Sequence, residues 1–165
     1  MIRIVILVFF VGLMKCKTAI VNTTNTESNN VNFVTISQGV LYGNGAENIN
    51  KYTIVISDQK KWDSLLNKMN SVNTVSSDFQ EMPVSFSKET VIGVFDTIRN
   101  TGGIRAEINK VVQKNDTTTV IYRIKKPAPG EFVTTVITQP YHLIKIEKKE
   151  GHFVFIKEEQ RPLQN

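Results

Sequence analysis

The sequence predicts an α+β domain, mainly β: an antiparallel sheet, or a sandwich-like β domain, with one amphipathic helix packed on it. Three observations carry this. Short runs of β-branched and aromatic residues recur along the 165-residue chain, set apart by Gly, Asn and Pro turns. One segment has helical periodicity, with Trp62, Leu65, Leu66 and Met69 at i, i+3, i+4 and i+7. Thr90 to Ile98 is nearly all apolar, as befits a central strand covered on both faces. One helix among about eight strands implies a mainly antiparallel sheet curled around that helix or packed against it.

The elements follow in order. Phe33 to Tyr42 reads as a strand ending in the turn Gly43-Asn44-Gly45. Tyr52 to Ile56 is a second, short strand. Ser57 or Asp58 then offers a side-chain oxygen to the free amides of a first helical turn. The helix sets its four apolar residues on one face and Lys61, Asp63, Asn67 and Lys68 elsewhere. Trp62 is expected to anchor that helix on a sheet. Val84 to Phe86 leads into the central strand. Ile104, Ala106 and Ile108 alternate with Arg105, Glu107 and Asn109, the pattern of a half-buried strand. Asn115-Asp116 is a tight turn, and Thr118 to Ile124 returns as the hairpin partner. Phe132 to Thr138, Tyr141 to Ile146 and Phe153 to Lys157 complete the set.

The N-terminus differs in kind. Arg3 precedes an apolar run from Ile4 to Met14 broken only by Gly12. That is shorter than the roughly 20 residues of a membrane span and fits the apolar region of a secretory signal. Residues 1–15 are therefore expected to be a signal sequence. Cys16 follows at once and is the only cysteine, so no internal disulfide is expected. Its place resembles that of the lipid-modified cysteine of bacterial lipoproteins. Lys15 stands where that pattern prefers a small residue, which keeps ordinary cleavage nearby and an uncleaved anchor open as alternatives. Residues 16–31 are polar, with Thr, Asn, Glu and Ser dominating, and too poor in apolar surface to offset the entropy of ordering. They are expected to be a flexible tether, and 32–160 a single domain.

Charge excludes one class of function. Taking Arg3 and Lys15 from the 20 basic residues leaves 18 against 15 acidic ones, a scattered net of +3. No nucleic-acid footprint follows from that. Catalytic chemistry is equally hard to find. His142 and His152 have no metal-ligand spacing, and Cys16 belongs to the leader. His142 shares a strand face with Ile144 and Ile146, as a partly buried strand residue does; His152 adjoins Gly151 at a turn and is expected to be exposed. There is no nucleophile elbow and no phosphate loop. Asp96 and Glu107 are spread along strands. The sequence points to no catalytic residue, cofactor or metal. The best local candidate for a working surface is Arg99, Asn100, Thr101, Gly102 and Gly103, with Arg105 beyond. Its two glycines permit a tight loop, and its arginines suit an acidic partner.

Several motifs act together: Pro83-Val-Ser-Phe86-Ser-Lys-Glu-Thr-Val-Ile92, the Thr101-Gly102-Gly103 turn with Ile104-Arg-Ala-Glu-Ile108, Pro127-Ala-Pro-Gly130, and Val136-Ile-Thr-Gln-Pro-Tyr-His-Leu-Ile144. They resemble the C-terminal domain of the PrcB-like family, whose founding member is a lipoprotein subunit of a bacterial cell-surface protease complex. The resemblance spans Tyr52 to Ile146. Ile104 and Asn100-Thr101 stand where such turns often carry an aromatic and a proline. The resemblance implies an extracytoplasmic, non-catalytic protein that stabilises or assembles a protease complex, lipid-anchored to a membrane of the bacterial envelope. A second reading is a loop-based protease inhibitor with a β-sandwich fold: Asn100-Thr101-Gly102-Gly103 resembles the Asn-Pro-Thr-Thr-Gly loop of chagasin-type inhibitors, without its proline. A third, a periplasmic enzyme, requires a concave polar cluster around His142.

Overall fold

A computed structural model of the chain describes residues 28–50 and 52–159. The signal sequence, Cys16 and most of the expected tether lie outside the described residues. Strands β2 (Phe33–Leu41), β3 (Tyr52–Ile56), β4 (Glu89–Phe95) and β7 (Gln139–Glu147) form one sheet in the order β2-β7-β4-β3, antiparallel throughout. Strands β1 (Asn29–Asn30), β5 (Arg105–Lys114), β6 (Thr117–Lys125) and β8 (His152–Lys157) form the second, in the order β1-β5-β6-β8. The helix α1 (Gln59–Met69) covers the other face of the first sheet, so that sheet is the middle of three layers. The fold is α+β and mainly β.

Each layer follows from side-chain pattern. Asp58 caps α1 by accepting the Lys61 amide at 2.9 Å. Trp62, Leu65 and Met69 are buried against Ile36, Val91, Phe95 and Leu143, with Leu66 at the margin. β4 carries two cores because successive side chains point to opposite faces. Val91 and Phe95 meet the helix layer; Ile92 and Val94 meet the second sheet. Gly93 keeps that crowded strand thin, since a methyl there would stand 2.8 Å from Leu143 and 2.9 Å from Ile54. The hairpin of β5 and β6 turns at Asn115, whose φ is +50°.

Two expectations change, and one pairing goes beyond them. Phe132 to Thr138 is not a strand: only Thr138 pairs, in an isolated bridge with Arg99. The run has β propensity, but both sides of β7, the strand that follows it, are already filled by β2 and β4. The last strand, whose direction the sequence left open, pairs parallel with β6 within otherwise antiparallel sheets. The reason is a change of sheet: β7 belongs to the middle layer, and the chain crosses at Lys148–Gly151 before β8 joins the other sheet. Gly151 makes the crossing possible, with φ +95° and the Asp116 carbonyl where a side chain would stand. Finally, pairing reaches into the expected tether, where Asn29 and Asn30 oppose Gln113 and Val112.

The sheets are locked together at an incomplete edge. β1 covers β5 only at Val112 and Gln113, which leaves the Arg105–Asn109 part without a neighbouring strand on the side away from β6. Side chains of the middle sheet stand in. Gln38 Nε2 donates to the Ala106 carbonyl at 2.7 Å, and His142 Nδ1 accepts the Ile108 amide at 2.8 Å. Gln38 and His142 are themselves opposite each other on β2 and β7. Because Nδ1 accepts, the neutral ring carries its proton on Nε2 and donates it to Thr35 Oγ1, 3.1 Å away. Backbone bulges at Ile36 in β2 and Asn109 in β5 flank this joint.

Burial holds the His142 imidazole down to about 4, against the opposing pull of the Glu107 carboxylate. Its ordinary value is about 6.5. Between those values the unfolded chain binds more protons than the folded one. Stability from this group is therefore full above pH 6.5 and falls as the pH drops toward 4, by about 3 kcal/mol. Urea denaturation at pH 7.5 and 4.5 checks this: the acid loss in the wild-type chain should exceed that in His142→Gln by about 2 kcal/mol. Equal losses would show that His142 is not the group responsible.

Candidate functional site

The candidate site grows from the end of β4. Asp96 follows the strand with its side chain fully buried, and its amide donates to the Pro140 carbonyl. Burying a carboxylate demands a cation. Arg99 supplies it from three residues on, with Nε 2.7 Å and Nη2 2.5 Å from Asp96 Oδ2. The Asp96 carboxylate also raises the Tyr122 phenol above its ordinary range, second to the effect of burial. Gln139 completes the joint, its Nε2 donating to the Ile49 and Asp96 carbonyls. This polar knot fixes where the chain leaves the sheet.

The Asn100–Gly103 turn is then laid along residues 134–138. Arg99 and Thr138 exchange both backbone hydrogen bonds, at 2.7 and 2.9 Å. Gly102 donates to the Thr134 carbonyl at 2.9 Å, and Thr138 Oγ1 donates to the Thr101 carbonyl at 3.1 Å. Gly102 is buried with Thr134 Oγ1 where a methyl would stand, and Gly103 has φ +78°. The expected contact residues therefore divide. Asn100 and Gly103 are exposed, Arg99 and Thr101 are half-buried, and Gly102 is buried.

Arg105 is separate again. It starts β5 on the exposed face, directly opposite Lys125 of β6. Like charges in register are unfavourable, and neither has an ion pair among the described residues. The carboxylates are otherwise occupied: Glu107 pairs with Arg123 at 2.7 Å. His142 has both ring nitrogens hydrogen-bonded and packs beside Ile108 and Ile144, so it lacks the free nitrogen that a general base needs. His152 is exposed. Among the described residues, no three His, Cys, Asp or Glu gather around a possible metal ion.

One part of this surface has no counterpart in the sequence reading. Phe132, Val133, Val136 and Ile137 are exposed, outside any strand. The clue is their order: apolar, apolar, Thr, Thr, apolar, apolar, which lacks the alternation of a half-buried strand.

The two arginines should behave differently. Arg99→Ala strands a buried carboxylate and should cost about 3 kcal/mol. Arg105→Ala should change stability by no more than about 0.5 kcal/mol, in either direction. Thermal or urea denaturation of both variants tests the distinction; equal effects would refute it.

Residues 90–147 match the family model described as PrcB C-terminal. The matched segment runs from β4 through the Arg99–Gly103 turn and the hairpin to the end of β7. Comparison with curated proteins and with solved structures gives no match. The matched stretch, about a third of the chain, holds the central strand, the fastened turn and the segment it rests on, and over these residues the chain is similar to the PrcB C-terminal family.

Proposed function

We propose that the chain is a non-catalytic accessory protein of an extracytoplasmic protease complex, which it stabilises or assembles while anchored to the cell envelope through Cys16. The observation that carries this reading is the PrcB C-terminal match over residues 90–147. The geometry supports it in two ways. The one buried histidine is committed to holding sheets together. The contact surface beside the turn is apolar and basic rather than concave and polar. The envelope part of the reading rests on the apolar run before Cys16 and on the polar stretch behind it.

Pull-down of the tagged full chain from detergent-solubilised membranes should enrich a secreted or surface protease. Recovery of the chain with no protein partner would overturn the accessory role. Cys16→Ala should release the protein from the membrane fraction. Persistence in that fraction would show that lipid on Cys16 is not the anchor.

A further inference from the structure

The segment 131–137 is chemically a strand that lacks a partner. Phe132, Val133, Val136 and Ile137 are residue types that favour strands. Phe132 is fully exposed, and the other three are between 37 and 43 % exposed. Within 131–137 the backbone makes few hydrogen bonds among the described residues. Glu131 donates to the Ala128 carbonyl, and the Thr134 carbonyl accepts from Gly102 and, at 3.4 Å, from Thr101 Oγ1. The amides of Phe132, Val133, Thr135, Val136 and Ile137 donate to no backbone carbonyl there. The segment is nonetheless held in place, by the Gly102–Thr134 bond near its centre and the Arg99–Thr138 bridge at its end. An anchored backbone outside any strand, with amides not paired to backbone carbonyls and with exposed apolar side chains, offers a partner strand something to add to.

The charge nearby selects the partner. Gly103 packs so close that a methyl on it would stand 2.9 Å from Pro127 and 3.1 Å from Val133. That places Val133 beside the end of the hairpin where Arg105 opposes Lys125. Two uncompensated cations in register are relieved by a carboxylate from outside. A second copy paired parallel would bring its own Arg105–Lys125 pair to this point, and one paired antiparallel would bring Ile137 to Gln139, so neither supplies an acid there. We propose that residues 132–137 bind an extended segment of a protein partner, one with alternating apolar residues and an Asp or Glu at the end that meets Arg105 and Lys125. The pairing is by backbone hydrogen bonds, and the acid sets its direction. This names the chemistry of the partner and rests on the accessory reading only for who that partner is.

A phage-displayed library of random decapeptides, selected on the purified chain, tests the idea without any protease. Enriched peptides should carry an acidic residue flanking apolar alternation. On binding they should slow amide hydrogen exchange in 132–137. Thr135→Pro, which removes one free amide at an exposed position, should weaken them at least tenfold. The double variant Arg105→Glu, Lys125→Glu should do the same and should favour basic peptides instead. Unchanged exchange in β4 and β7 confirms that the variants are folded. The proposal fails if no peptide is enriched, if binders ignore both variants, or if protection appears elsewhere. It also fails if the chain itself dimerises through 132–137 on light scattering. Enrichment of a protease in the membrane pull-down, with a negative peptide result, would leave the accessory role standing and remove only this surface.

Discussion

The fold depends on how an unfinished strand edge is closed. A bare β5 edge would leave buried carbonyls and amides unsatisfied, at a cost of about 1–3 kcal/mol each. Gln38 and His142 prevent that by reaching across from the middle sheet to Ala106 and Ile108. The contact is side chain to backbone, so it holds two sheets in one register without merging them into a barrel. It also needs an uncharged imidazole. That requirement is met by burial, which outweighs the Glu107 carboxylate and keeps the ring neutral, so this histidine serves structure.

From that closure the remaining geometry follows. With β5 fixed against β2 and β7, β4 is enclosed between helix and second sheet and its end is held deep in the molecule. The chain must emerge there past Asp96. The Arg99 guanidinium makes a buried carboxylate tolerable and turns the backbone back on Thr138. The segment 90–147 thus has a rigid floor, and the exposed residues next to the turn are displayed on fastened backbone. Pre-organisation of that kind lowers the entropy lost on binding.

Much of this was legible in the residues. The helix was visible because Trp62, Leu65, Leu66 and Met69 repeat at helical spacing and Asp58 precedes them. The central strand was visible because Thr90 to Ile98 is nearly all apolar, the pattern of double burial, although the strand itself ends at Phe95. What stayed hidden depends on distant partners. Phe132 to Ile137 has the composition of a strand, yet pairing is a property of the neighbours, and β2 and β4 had taken both sides of β7. The direction of β8 was hidden for the same reason: nothing in Phe153 to Lys157 records which sheet it joins. The Arg99–Asp96 pair was within reach, since a spacing of three across a turn permits it. The Arg105–Lys125 juxtaposition required the hairpin register, which the bulge at Asn109 shifts by a residue.

The crossing at Gly151 has a consequence for engineering. Asn115-Asp116 looks like a generic surface hairpin, the sort of place where a tag or a sensor domain is inserted. Here the Asp116 carbonyl accepts the His152 amide and lies against Gly151, so the turn is also the seat of the chain's passage between sheets. Lengthening it would unseat β8 along with the hairpin. Gly130 offers the opposite case: it sits at a turn with open space on every side that a side chain would occupy. The two turns thus differ in what an insertion would disturb, because one seats a second strand while the other has open space beside it, although the φ of +83° at Gly130 still favours glycine.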